Sequence, residues 1–406
     1  MYLSKRVRAI KPSPTLAIDV KAKALRQQGI DIISFGTGEP DFDTPDNIKE
    51  AAVSAIKSGY TKYCPVSGSP EIKKAVIDKF KRDNGLDYEP AEIIVSCGAK
   101  HSLYNIFQTI IDDGDEVIIA APYWVSYTDM VILAGGKPVI VNTDDKNGFK
   151  MTPGALEKAI TSKTKAVILN SPSNPTGSMY GFDELKAIAA VCLKHNILII
   201  SDEIYEKLVF CGAKFLSIAS VSPEAKALTI VVNGVSKAFS MTGWRIGYAA
   251  GNKDIISAMA KIQSQSTSNP ASISLKAAVE ALNGKQDAVE MMRAEFEKRR
   301  NYIIERLNNM EGISCFKPDG AFYVFPNVSK LMGKTFAGKR INNDMEFADH
   351  LLEKAKIAVV PGLCFGAEGY MRLSYATSVE MIEEGVLRSE ERRVGKECRS
   401  RWSPYH

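Results

Sequence analysis

The sequence predicts an α/β protein: a large domain on a largely parallel sheet covered on both faces, joined to a smaller α+β domain. Three observations lead there. Short β-branched runs alternate with helical segments between Glu116 and Ala250, polar residues follow directly on those runs, and the pattern changes after about Asn283. The runs EVIIA (116–120), AVILN (166–170), ILIIS (197–201), TIVV (229–232) and IGYAA (246–250) are continuously apolar, as strands buried on both faces are. The stretch from Asp183 to His195 supplies a covering helix. Ligands are expected beyond the carboxyl ends of such strands, and there the chain places Asn170–Gly177, Asp202–Tyr205 and Ser236–Arg245. One strand-end aspartate alone reads as a helix cap or turn residue. Several complementary groups on successive loops read as a site.

Past Asn283 a long charged helix runs through Glu297 and Arg306, followed by strand-like GAFYVF (320–325), a helix around Asp344–Ala355, IAVVPG (357–362) and an amphipathic helix from near Val379. The Gly/Pro-rich FGTGEPDFDTP (35–45) is expected to cross back onto this region. The expected division is therefore 1–44 with the small domain, 45–285 as the large domain and 286–387 as the rest of the small one. From Arg388 the chain reads RSEERRVGKECRSRWSPYH, with no helical apolar face. It resembles a common sequencing adapter read in frame, so 388–406 is expected to be a non-native tail; a genuine basic tail is the alternative.

At 406 residues the chain has room for two or three domains, and 45% hydrophobic with 24% charged residues excludes bulk disorder and fibrous repeats. A net charge of +5 over this length gives no reason to expect nucleic-acid or membrane binding. The seven cysteines form no CxxC pair and there are only four histidines, so neither a disulfide framework nor a metal site is expected. No apolar run approaches the roughly 18 residues that span a bilayer, and no signal-type apolar core follows the basic start, so the expected location is the cytoplasm.

The strongest local signal is GVSKAFSMTGWRIG (234–247). A lysine that reacts through its neutral amine suits a partly desolvated site beside other cations, because a free lysine titrates near pKa 10.4. Arg245 is such a cation, and its planar guanidinium suits two-pronged contact with a phosphate. In SCGAK (96–100) a strand meets a helix, and free N–H groups with the positive dipole end favour an anion at Gly98, Ala99 and Lys100.

With these motifs in order along nearly all of residues 2–387, the chain resembles the class I (fold type I) pyridoxal-phosphate-dependent aminotransferases, whose large domain carries a mostly parallel seven-stranded sheet. The resemblance implies pyridoxal 5′-phosphate as cofactor, held covalently by Lys237, with Ser236, Gly98, Ala99, Lys100 and Arg245 around it. It sets Asp202 against the ring nitrogen, Tyr205 and Asn174 against the ring oxygen, and Trp124 of PYWVSY on the ring face. A buried carboxylate there would keep the ring nitrogen protonated and electron-withdrawing. Tyr63 of TKYCP matches a tyrosine that reaches the neighbouring subunit, which implies a homodimer with shared active sites; Tyr60 lies three residues away. Arg372 of MRLSYA matches the arginine that grips the substrate α-carboxylate, near the close backbone approach of Gly38. Without the resemblance, Trp124 reads as core and Arg372 as solvent-facing.

RVRAIKPSPT (6–15), Lys100 and PYWVSY together resemble the bacterial aspartate aminotransferases of subgroup Ib. In that subgroup lysines meet the side-chain carboxylate, and Lys100 and Lys11 occupy the matching positions; otherwise both read as solvated lysines. The implied reaction moves the amino group of aspartate to 2-oxoglutarate in two half-reactions. Alanine, aromatic or prephenate transamination and a carbon–sulfur lyase are the alternatives. A transcription regulator on this fold would carry a helix-turn-helix domain, for which there is no room before Phe35.

Overall fold

A computed structural model describes residues 2–10, 12 and 14–394. The described residues form two compact units: one lies within Met1–Lys11, Glu39–Glu295 and Pro318–Ala321, the other within Pro12–Gly38, Phe296–Lys317 and Phe322–His406.

The first unit is built on seven strands: β1 (Ile93–Ser96), β2 (Glu116–Ala121), β3 (Lys137–Asn142), β4 (Thr164–Asn170), β5 (Leu198–Asp202), β6 (Thr229–Gly234) and β7 (Gly247–Ala250). Their order across the sheet is β1-β7-β6-β5-β4-β2-β3. β7 runs antiparallel to both β1 and β6, and the remaining pairs are parallel. Apolar side chains leave alternate faces. On β2, Val117 and Ile119 join one cluster with Ile106, Phe107 and Ile200, while Ile118 joins Val167, Leu185 and Ile199 on the other. This two-sided burial is why the strand sequences lack the apolar–polar alternation of a half-exposed sheet.

Gln263, fully buried on helix Lys253–Ser266, ties the start of the sheet together. Its Oε1 accepts from Ser96 Oγ (2.7 Å) and Asn105 Nδ2 (3.0 Å), and its Nε2 donates to the carbonyls of Val66 (2.7 Å) and Val95 (2.9 Å). One side chain thus fixes the end of β1, the helix that follows it and the loop at Val66 that precedes helix Pro70–Asn84.

The second unit has a three-stranded antiparallel sheet with Met371–Ser374 between Val360–Pro361 and Tyr323–Val324, and Ile33–Ser34 pairs with Ile357–Ala358. Of GAFYVF only Tyr323 and Val324 are in a strand. The helix expected over Asp344–Ala355 is α-helical to His350 and widens into a π turn at Leu351–Ala355.

Besides residues 2–10 and 286–295, which fall within the first unit, the structure departs from the sequence-based boundaries in three places, each with a local cause. Residues 39–44 belong to the first unit, where Thr44 Oγ1 donates to the Ser240 carbonyl (2.7 Å) and accepts from Trp244 Nε1 (2.9 Å). So do residues 318–321, whose Asp319 and Gly320 bond to Phe210 and Gly177 backbone at 2.9 Å each. The last helix, Val379–Val394, continues past the boundary set at Arg388. Arg388 bonds Glu384 one turn back (2.7 Å) and Asp31 (2.5 Å), and Glu390 pairs with Arg306 at 3.1 Å. Residues 395–406 of the expected tail lie outside the described residues. Among the described residues no helix is long and apolar enough to cross a membrane.

Replacing Gln263 by alanine strands buried donors and acceptors that cost roughly 1–3 kcal/mol each. The Gln263→Ala melting temperature should therefore fall by about 5 °C or more in calorimetry; an unchanged melt would show that the network is not stabilising.

Candidate active site

Five loops at strand ends in the first unit, after β1, β2, β4, β5 and β6, carry the expected residues. Gly98 sits between β1 and helix Ala99–Ile110 at φ 89, a region that favours glycine. It caps that helix without a side chain, leaving the first turn open to an anion. A Cβ on Gly98 would lie 2.3 Å from Arg245 Nη2, so the guanidinium rests directly on this backbone. Arg245 is itself left-handed at φ 57, donating from Nη1 to the Thr242 carbonyl (2.7 Å) and from Nη2 to that of Cys97 (3.4 Å). A Cβ on Gly247 would come within 2.1 Å of the Ala99 nitrogen, so β7 passes against the same helix start. The cradle is made of backbone that two absent side chains allow to meet.

Beside it, Lys100 Nζ stands 4.8 Å over the Trp124 ring. Burial, and then the charge of Arg245, hold the Lys100 ammonium below its ordinary pKa. Trp124 meets Tyr127 edge-on, with ring centroids 5.3 Å apart. Tyr127 then donates its hydroxyl to Asp202 Oδ2 at 2.6 Å.

Asp202 ends β5 with 4% of its surface exposed. Burial pushes its carboxyl up to about 6, opposed by the hydrogen bonds from Tyr127 and the Ile204 N–H and by the charge of Lys237. Asn170 Nδ2 donates to the Asp202 carbonyl (3.0 Å), and Asn170 Oδ1 accepts from the Asn174 N–H (2.8 Å). The loops after β4 and β5 are thereby locked to one another. Asn174, Tyr205 and Ser236 are buried, and Lys237 is half-buried.

Sequence reasoning missed Tyr127, Asn170 and Gly247. All three lie inside or beside quoted motifs, but only the fold shows that Tyr127 is aimed at Asp202 and that Asn170 bridges two loops.

Tyr63 is 93% exposed, whereas Tyr60 is half-buried, its hydroxyl 3.6 Å from Cys64 Sγ and Lys276 Nζ 4.9 Å from its ring. Lys11 lies outside the described residues.

In the second unit Arg372 is buried on the middle strand. Its Nη2 donates to the Gly36 carbonyl at 2.6 Å, and its guanidinium carbon lies 4.6 Å from the Tyr323 ring and 5.1 Å from the Phe365 ring. A planar cation held between aromatic faces has one fixed orientation. A Cβ on Gly38 would meet the Tyr323 hydroxyl at 2.9 Å, so this backbone also runs close to that ring.

A mostly parallel sheet with an open helix start, an arginine, a buried aspartate and a lysine on its loops defines an enzyme that handles an anionic ligand through an amine. The family description Aminotransferase class I and II matches residues 30–388, and the chain belongs to that family. It is 56% identical over 388 residues to an aspartate aminotransferase of Geobacillus stearothermophilus, covering 96% of this chain and 98% of that one. It is 55% identical over 390 residues to a probable aspartate/prephenate aminotransferase of Rickettsia felis, covering 96% and 95%. Among solved structures, the aspartate aminotransferase of Rhizobium meliloti superposes with a TM-score of 0.94 at 45% identity, covering 97% of this chain and 99% of that one. The Thermus thermophilus aspartate aminotransferase with maleate superposes at 0.91 and 45% identity, covering 96% and 99%.

Removing the Tyr127 hydroxyl takes away a hydrogen bond to the ionised form of Asp202. In ligand-free Tyr127→Phe the Asp202 carboxyl should therefore titrate above about 6, followed by its infrared band with Asp202→Asn as blank. A midpoint that stays put or falls would show that the tyrosine does not hold the carboxylate.

Proposed function

We propose that the chain transfers the amino group of aspartate to 2-oxoglutarate with pyridoxal 5′-phosphate as cofactor, working as a cytoplasmic homodimer. The observation that carries this is the buried Asp202 carboxyl, held by Tyr127 and influenced by the charge of Lys237. A buried acid so arranged needs a cationic partner, and a protonated ring nitrogen is one. The cradle at Gly98, Ala99 and Arg245 suits the phosphate, since a side chain at Gly98 would occupy the space of the guanidinium. The donor set therefore fits the group. When bound, that cofactor supplies a carbonyl for the amino group and an electron sink for the carbon that loses its proton.

The chain's own residues do the rest. Lys237 Nζ would hold the cofactor and, once released, would take the proton from the substrate α-carbon as general base, a proton transfer contributing about 10²–10⁴ in rate. Asp202 stays ionised against the ring nitrogen because Tyr127 and the Ile204 N–H hydrogen-bond its two oxygens. Tyr205 and Asn174 would hold the ring oxygen, Ser236 and Lys100 would flank the phosphate, and Trp124 would cover the ring and keep water from it. Arg372 pairs with the α-carboxylate, with Gly38 close by.

Lys100 meets the second carboxylate of an acidic substrate, with Lys11 as its expected helper. The lowered ammonium pKa of Lys100 supports this, because a partly dehydrated cation gains from an arriving carboxylate. The relative solved with maleate, a dicarboxylate, is in keeping with it. Tyr63, fully out in solvent on its own chain, supports a second subunit as its partner. Prephenate, also a dicarboxylate, is a second reading favoured by the Rickettsia relatives, which are described as probable aspartate/prephenate aminotransferases.

Mixing purified protein with aspartate should convert the yellow cofactor to its aminated form, and 2-oxoglutarate should restore it, while alanine should do neither efficiently. Response to alanine alone would move the assignment to another transaminase, and release of pyruvate and ammonia without an acceptor would indicate a lyase. Lys100→Ala should raise the aspartate KM about tenfold or more with little change for alanine. Equal effects on both would remove the acidic-substrate argument.

A further inference from the structure

Behind the turn that carries Asp202 and Tyr205 lies a buried ionic cluster with no part in the chemistry above. Glu206 pairs with Lys79 of helix Pro70–Asn84, and the two side chains are only 5% and 3% exposed. Asn84 completes the group: its Oδ1 accepts from Lys79 Nζ (2.8 Å) and its Nδ2 donates to Glu206 Oε2 (2.9 Å). Lys79 is thus paired with Glu206, and its charge also reaches Asp83, which pairs with Lys207 and Arg82 at 2.9 Å each.

Glu203, the residue after Asp202, is 1% exposed and, among the described residues, has no cation paired with it. Ser201 Oγ (2.8 Å) and Ser217 Oγ (2.6 Å) both donate to its Oε1. Its Oε2 is buried with no donor. An ionised carboxylate out of water requires donors on both oxygens, whereas a neutral acid accepts on its carbonyl oxygen and carries a proton on the other. With nothing bonded to Oε2, a neutral acid leaves one hydroxyl unpaired, which costs less than leaving one oxygen of a buried ionised carboxylate bare, so the asymmetry favours the neutral form.

We propose that Glu203 is a positioning residue, present as the neutral acid, which anchors the Asp202–Tyr205 turn from behind without setting a second negative charge beside Asp202. The anchorage is visible in the backbone: the Glu203 N–H donates to the Val232 carbonyl at 2.9 Å, and the Glu206 N–H to the Glu203 carbonyl at 3.0 Å. Through Ser217 and Ser201, Glu203 joins the 3₁₀ turn at Ile218–Ser220 to the end of β5. The titratable groups that act on it agree. Burial, and then the Glu206 carboxylate, push its carboxyl up to about 8, with Lys79 offering only a small opposing effect. Tyr88 and Tyr248, whose hydroxyls are both shifted upward chiefly by burial, add no cation. The inference rests on the reading of Asp202 as the residue that meets the cofactor ring nitrogen.

The test compares Glu203→Gln, Glu203→Leu and Ser217→Ala with the parent holoenzyme by pH titration of the cofactor's visible absorption, by kcat and KM, and by melting from pH 5 to 9. The amide mimics a neutral acid, so Glu203→Gln should keep the absorption midpoint and hold kcat within about twofold. Glu203→Leu, which cannot accept from either serine, should shift the midpoint and lower kcat about tenfold with aspartate KM unchanged. Ser217→Ala, which keeps the carboxyl, should shift it less in the same direction and serves if the leucine variant does not fold.

The melting comparison has a definite sign. An acid raised from 4.5 to about 8 binds its proton more tightly folded than unfolded, so the parent loses stability as pH rises through that window. Glu203→Gln lacks this loss and should gain on the parent steadily toward pH 8. A midpoint moved as far by glutamine as by leucine, or a melting difference that is flat in pH, overturns the proposal. An unshifted midpoint in both Glu203→Leu and Ser217→Ala overturns it as well. Absence of any bound chromophore in the parent would instead sink the cofactor reading, and the melting slope would still judge the neutral acid.

Discussion

Burying a carboxyl at the end of a central strand is the constraint around which the rest of the first unit is arranged. Left alone, Asp202 would take up a proton and become a neutral hydrogen-bonding group. Tyr127 and the Ile204 N–H oppose this from two sides, and each requires the fold to be in place. Tyr127 needs the helix Ser126–Leu133 to start just after Trp124, and the Ile204 N–H needs the chain to turn immediately after β5. Asn170 then holds the Asp202 carbonyl, so neither loop can shift without the other. The neutral character of Glu203 belongs to the same arrangement, since an ionised neighbour would oppose charge on Asp202.

The cradle at Gly98 and Arg245 follows a different rule, in which absence of side chains does the positioning. Gly98 and Gly247 let a helix start, a strand and the Arg245 guanidinium converge at distances that a single methyl group at either glycine would forbid. The arginine is in turn held by two backbone carbonyls, so its charge is fixed in place before any anion arrives. Such preorganisation lowers the cost of ordering the site on binding.

Much of this was legible in the chain. Strands buried on both faces leave continuous apolar runs, so EVIIA and AVILN could be read as central strands, and the polar loops that follow them as a site. The motif around Lys237 carried its lysine and arginine together. What could not be read were contacts made across long sequence separations: Tyr127 to Asp202 spans 75 residues and Gln263 to Ser96 spans 167, and neither has a local pattern. The small strands of the second unit were legible only in outline, GAFYVF as strand-like but without its bounds. Tyr323–Val324 and Val360–Pro361 are two residues each, too short for periodicity to register. That the last helix runs on past Arg388 escaped a test based on an apolar face, because the turn there is held by ion pairs to Glu384 and Asp31.

The central claim is that Lys237 carries the cofactor. Sodium borohydride reduction of the purified protein, followed by peptide mass mapping, tests it without any assumption about substrate. The account predicts a single pyridoxyl mass on the peptide that contains Lys237. Label on the peptide containing Lys100, or none in folded protein incubated with the cofactor, would contradict it.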